Sequence, residues 1–157
     1  MALASSVFFD TSILISAFIE MGETPSPSEA ALDAITRQLV RRPLTAWHCV
    51  LEFYAVATRL PANVRLDPKL AGGIVRNQIL ERFEVCALPS DAHRAFIEAI
   101  VGERIAGGRV YDAHIAEAAR RAGAELVVTE NRRHFAPLMR YGIRVLTAAE
   151  FAEEYGV

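Results

Sequence analysis

The sequence predicts an α/β domain with a mostly parallel sheet and helices on both of its faces. Two observations carry that expectation. Short apolar, β-branched runs alternate with helical patterns from one end of the chain to the other. The length of 157 residues, with 52% hydrophobic and 23% charged, suits one ordinary domain that buries roughly 70% of its unfolded surface. No internal repeat divides the chain, so residues 1–157 read as a single domain.

The elements follow in order. A buried-type strand over 3–9 ends in Val7-Phe8-Phe9, and Asp10 stops it. Thr11-Ser12 is expected to cap a helix over 13–20. The stretch Glu23-Thr24-Pro25-Ser26-Pro27-Ser28 reads as a loop, with Ser28 capping a helix over 28–41. A short strand over 43–46 precedes a helix over 48–59, which Pro61 ends. Asp67-Pro68 starts the next helix, and Gly72-Gly73 inside it predicts a bend. A strand over 83–88 is followed by a helix over 90–105, capped by Ser90 and closed by Gly107-Gly108. A helix over 110–123 feeds the clearest strand, 125–129. The last strand covers 143–146, and Thr147-Ala148-Ala149-Glu150 is a capping box that opens the final helix.

Composition excludes several classes. No apolar run approaches the ~20 residues needed to span a bilayer, because Asp10, Glu20 and Glu52 interrupt the apolar stretches. No basic residue precedes the first apolar run, so a signal peptide is not expected. Two cysteines, Cys49 and Cys86, are too few for a disulfide scaffold, which points to the reducing cytoplasm and to buried, inert thiols. A net charge of -2 argues against a general nucleic-acid coat. Of 17 Lys+Arg only Lys69 is lysine, but genome composition alone can enrich arginine, so this decides nothing.

Right-handed crossovers gather the carboxyl ends of parallel strands on one edge, where chemistry is to be sought. Asp10, Glu52, Asp112 and Asn131 are expected there. Singly, Asp10 can cap a helix, Asp112 can complement a helix dipole and Asn131 can make a turn. Glu52 lies in the apolar run Cys49-Val50-Leu51-Glu52-Phe53-Tyr54-Ala55-Val56, where a carboxylate without a partner is costly. Three carboxylates in one pocket also repel. At ~5 Å and an effective dielectric near 20, each pair costs about 3 kcal/mol. The cluster must share a proton or bind a cation. All-oxygen ligands suit Mg²⁺ or Mn²⁺, and such a site serves phosphodiester hydrolysis by activating water and steadying the oxygens of an in-line displacement. The residues alone therefore reach a metal-dependent phosphoester hydrolase.

The stretch Val7-Phe8-Phe9-Asp10-Thr11-Ser12-Ile13-Leu14-Ile15 resembles the opening of PIN-domain nucleases. Glu52-Phe53-Tyr54-Ala55-Val56-Ala57-Thr58-Arg59, Val110-Tyr111-Asp112-Ala113-His114-Ile115-Ala116 and Val127-Val128-Thr129-Glu130-Asn131-Arg132-Arg133-His134-Phe135 are similar to that family's second, third and fourth motifs. The compact form is most like the VapC toxins of toxin–antitoxin pairs. The resemblance implies a three-layer α/β/α sandwich and an endoribonuclease dependent on Mg²⁺ or Mn²⁺. It implies a homodimer, and a small antitoxin whose C-terminal segment covers the active site. Asp10, Glu52 and Asp112 match the family's metal-binding acidic positions. Asn131 stands where aspartate is frequent, which removes one negative charge and puts a second metal in doubt.

Other residues are weighed beside these. Arg109, Arg132 and Arg133 are candidate contacts to RNA phosphates, and Thr11 and Thr129 candidate hydrogen-bond donors to water or phosphate. His48 and Glu52 share a helix face at a zinc-compatible spacing but lack a second histidine in a matching motif. His114 and His134 suit structural or hydrogen-bonding roles, and Phe8, Phe9, Trp47, Phe53 and Tyr54 read as core. The faces around 31–39 and 49–56 are candidates for the dimer contact. A phosphoacceptor domain would need a lysine after the last strand, and an aspartyl phosphatase would need Asp-x-Asp where Asp10-Thr11-Ser12 stands. The alternatives that remain are an inactive PIN-like module binding RNA or protein, and a housekeeping RNA-processing nuclease.

Overall fold

A computed structural model describes residues 3–19 and 25–157. Five strands form one parallel sheet in the order β3-β2-β1-β4-β5: β1 (Ala4–Phe9), β2 (Val40–Ala46), β3 (Glu84–Cys86), β4 (Leu126–Val128) and β5 (Arg144–Leu146). The central strand β1 has Val7, Phe8 and Phe9 fully buried, as a strand covered on both faces requires. Phe8 stands opposite Leu44 of β2 on one side and Val127 of β4 on the other. The expected parallel α/β architecture is what forms.

Eight α-helices cover the sheet among the described residues: α1 (Thr11–Phe18), α2 (Pro27–Thr36), α3 (Trp47–Ala57), α4 (Pro68–Ile74), α5 (His93–Gly102), α6 (Arg109–Arg121), α7 (Arg132–Phe135) and α8 (Ala148–Tyr155). Helices α1, α2, α3 and α8 pack in one connected group, and α5, α6 and α7 in another. Phe9 meets the edges of Phe83 and Phe151, with ring centroids 5.7 and 5.9 Å apart. No described helix is long and apolar enough to cross a membrane.

Several boundaries differ from expectation for local physical reasons. Helix α1 starts at Thr11, with Asp10 in the cap position but making no side-chain cap bond. The expected end of this helix at Glu20 lies outside the described residues. The cap of α2 is Ser26 rather than Ser28: its hydroxyl accepts the Glu29 N–H, Glu29 reaches back, and Pro27 fills the first helical position. That helix stops at Thr36 because Gln38 turns left-handed, φ 57°, which frees Val40 to pair with Ala4. Past Gly72-Gly73 the helix continues as a π-helical turn over Val75–Leu80. Ser90 opens a 3-10 turn instead of capping α5, which itself ends at Gly102. Helix α7 and the 3-10 segment Ala136–Tyr141 have no counterpart in the sequence reading. The caps at Asp67 and Thr147 form as expected.

Candidate active site

The strand order reverses at β1, since β2 lies on one side of it and β4 on the other. In open α/β sheets the crevice beyond the strand ends at such a point is the usual ligand site. The ladder runs past both strand ends: the Asp10 N–H donates to Val128 O at 3.1 Å, and the Thr129 N–H to Leu146 O at 2.9 Å. Thr45, fully buried on β2, fixes the end of β1 by donating to Phe9 O at 2.9 Å.

These bonds set the Asp10 carboxylate at the crevice, only 4% exposed. The Thr129 hydroxyl donates to its Oδ2 at 2.8 Å and the Ser12 hydroxyl at 3.1 Å. Burial pushes the carboxyl above its ordinary value; hydrogen bonds from Thr129, the Thr11 backbone and Ser12 pull it back, and the charge of Glu52 adds to the rise. No arginine, lysine or histidine pairs with Asp10 among the described residues.

Glu52 is exposed, not buried in an apolar helix, which corrects the reason it stood out in the sequence. Leu51, Glu52, Tyr54 and Ala55 face outward, while Cys49, Val50 and Phe53 face the core. Glu52 accepts the Thr11 hydroxyl at 2.8 Å. Thr11 and Thr129 thus spend their hydroxyls on the two carboxylates. Neither is left aimed at water or phosphate. Ser12, which the sequence offered only as a helix cap, is the second donor to Asp10. Its place two residues after the acid was the available clue.

Asp112 belongs to a different pair. Its Oδ2 lies 3.2 Å from His134 Nδ1, on the segment that follows β4. Asn131 donates its N–H to Thr129 Oγ1 at 2.9 Å, and its side chain makes no cap bond to α7. Glu130 does not stand in for a fourth acid: its Oε1 accepts the Ala148 N–H at 3.0 Å at the start of α8. Of the four predicted residues, Asp10 and Glu52 therefore sit together, Asp112 is paired with His134, and Asn131 hangs on Thr129. Among the described residues no three His, Cys, Asp or Glu side chains are gathered closely enough to hold a metal. The chemistry nonetheless fits a hard cation: a buried carboxylate without a cationic partner faces a second carboxylate, and every candidate donor is oxygen.

Of the candidate arginines, Arg132 is bound to Glu150 at 2.9 Å, whereas Arg109 and Arg133 have no ion-pair partner among the described residues and line a cavity with Asp112 and His134. His48 stacks on Tyr111 and meets His114 edge-on, which accounts for it without zinc. Cys49 is buried, and burial with the Asp10 charge pushes its thiol up to about 12; Cys86 is only half-buried, contrary to expectation, and partial burial raises its thiol to about 11. Phe8, Phe9 and Phe53 are core, but Trp47 and Tyr54 are 47% and 38% exposed, contrary to expectation.

The PIN domain family profile matches residues 7–137, which contain all four site residues. The chain belongs to the PIN domain family. This PIN domain is similar to Ribonuclease VapC27 of Mycobacterium tuberculosis, 35% identical over 103 residues that cover 65% of this chain and 72% of the relative. It is similar to Ribonuclease VapC40 of the same species, 30% identical over 123 residues that cover 78% and 85%. Solved structures share the PIN fold: FitAB bound to an IR36 DNA fragment (TM-score 0.60, 13% identity, 91% of this chain and 95% of that one) and FitAcB from Neisseria gonorrhoeae (TM-score 0.58, 17% identity, 90% and 97%).

Proposed function

We propose that this PIN domain is a Mg²⁺- or Mn²⁺-dependent endoribonuclease, the toxin of a VapBC-type pair, acting in the cytoplasm. The observation that carries the reading is the buried Asp10 carboxylate, held by Thr129 and Ser12 beside Glu52 at the strand-order reversal. The likeness to relatives named ribonucleases, over 72% and 85% of their lengths, supports it.

In this reading Asp10 and Glu52 would hold the ion, and Asp112 would join them once drawn away from His134. The ion supplies charge neutralisation and water activation for phosphodiester hydrolysis. Thr129 and Ser12 keep Asp10 oriented, and Thr11 does the same for Glu52. Asn131 offers an uncharged hydrogen-bonding group where a fourth acid would add repulsion. Arg109 and Arg133 meet RNA phosphates. A small antitoxin covers this crevice. The homodimer uses the exposed Trp47, Leu51 and Tyr54 of α3 rather than the α2 face, where Ala31, Leu32 and Ala34 are buried.

The test is cleavage of total cellular RNA by purified protein freed of any antitoxin, with Mn²⁺, with EDTA, and with Asp10→Asn. Discrete cuts that need both metal and Asp10 support the reading. A folded protein that cuts no RNA in Mn²⁺ favours the inactive binding module. Sedimentation of wild type against Leu51→Glu tests the dimer.

A further inference from the structure

A cavity of about 640 Å³ opens between α5, α6 and the 3-10 segment Ala136–Tyr141, within the range of ~300–1,000 Å³ typical of ligand pockets. Its floor is apolar, with Phe96, Ile100, Ile105, Ala116 and Leu138. Asp112 and His134 lie in its lining, so it is continuous with the candidate active site.

Its charge is lopsided. Arg109, Arg120, Arg121, Arg133 and Arg140 line it, against Glu103, Asp112 and Glu117. Glu117 holds Arg120 and Arg121 at 2.7 and 2.8 Å, and Glu103 holds Arg140 at 3.4 Å. Arg120 and Arg140 also both lie over the Tyr141 ring, 4.8 and 5.0 Å from its centre. Arg109 and Arg133 are left without acidic partners among the described residues, and both share the lining with Asp112. An apolar floor under an arginine rim is the arrangement that takes a base by its flat face and its phosphate by the guanidinium groups.

We propose that this cavity is a subsite for an unpaired nucleotide of the RNA next to the cleaved bond, and that it sets which nucleotide is tolerated there. The proposal rests on the ribonuclease reading above and names the substrate as a single strand. A base paired in a duplex presents only its edge, whereas a splayed base can enter a pocket of this size.

Ala95 and Ala99 are exposed positions of α5 that line the cavity, so a tryptophan at either fills it without entering the core. Binding of a short fluorescein-labelled single-stranded RNA of random sequence is followed by anisotropy. The parent is the uncleaving Asp10→Asn protein, compared with the same protein carrying Ala99→Trp or, separately, Ala95→Trp. Melting curves verify the fold of each. The expected result is a loss of affinity of about tenfold or more, the scale of one excluded base. In the cleaving protein, either tryptophan shifts the preferred nucleotide beside each cut. Well-folded variants that bind within about twofold of the parent overturn the proposal. So does a parent that does not bind the RNA. If wild type cuts no RNA, the nuclease reading fails, yet the anisotropy series still decides whether the cavity binds RNA.

Discussion

The hydroxyl of Thr129 donates to the Asp10 carboxylate at 2.8 Å while accepting the Asn131 N–H at 2.9 Å, joining the ends of two neighbouring strands. One buried oxygen therefore orients the central acid and the turn that follows β4. Thr129→Val keeps the shape and removes both bonds. It is expected to cost about 1–3 kcal/mol in urea unfolding and to lower RNA cleavage sharply. Thr129→Ser keeps the hydroxyl and most of the activity. Equal activities of the valine and serine proteins would overturn this positioning role.

Asp10 carries a raised pKa in the folded protein relative to its value of 3.8 in the unfolded chain. Between the two values the native state binds more protons, so stability is lost as pH rises through the folded pKa. Above pH 3.8 in EDTA the burial of this carboxyl is a cost in either protonation state, and Asp10→Asn raises Tm. Each kcal/mol gained corresponds to about 2–4 °C at this chain length. The gain vanishes below pH 3.8, where both carboxyls are protonated. Saturating Mn²⁺ reverses the order: ~100 times the dissociation constant adds about 2.7 kcal/mol to wild type and little to the variant. Calorimetry in EDTA and in Mn²⁺ checks both halves.

Glu117 works in the opposite direction. Hydrogen bonds and charge from Arg120 and Arg121 hold its carboxyl below the ordinary 4.5, so its contribution is present above that value and lost as pH falls through the folded pKa. Glu117→Gln is expected to cost less than about 1 kcal/mol at pH 7, as the partners are partly exposed, and nothing at low pH. Parallel acid-unfolding curves for the two proteins measure the difference.

Arginines near the crevice are expected to separate into two classes. Replacing Arg109 and Arg133 together by glutamine removes two phosphate contacts and lowers the salt slope for a single strand by about 1.4. Arg132→Gln loses only its exposed pair with Glu150, worth about 0–1 kcal/mol, and leaves the slope unchanged. Binding titrations across a series of salt concentrations distinguish them.

The strand-and-helix order was legible because β1 closes on Val7-Phe8-Phe9 and β4 is Leu126-Val127-Val128, ended by Asp10 and Thr129. Caps with a proline or a paired acid, Asp67-Pro68 and Thr147 with Glu150, were equally readable. Helix α7 was not, because four residues followed by Ala136-Pro137 show no period, and its existence depends on packing Phe135 and Leu138 into the core. Glu52 was placed in the right helix, but its exposure depends on which face of α3 meets α1, and an apolar run hides its own orientation. The separation of Asp112, paired with His134, from Asp10 and Glu52 was invisible for the same reason. Hydrogen bonds such as Thr11 to Glu52, 41 positions apart, leave no trace in spacing.

The place of β1 between β2 and β4 has a consequence for how the protein is made. The strand β1 leaves the ribosome well before β4, and one of its two flanks is completed only when residues 126–128 emerge. Until then Val7, Phe8 and Phe9 have an open edge, and Asp10 lacks its Thr129 donor, 119 positions downstream. Contacts this distant form late and slow the search for the native state. A chain stopped before Thr129 is therefore inactive by construction, and the synthesis of β4 acts as the safety catch on the first acid.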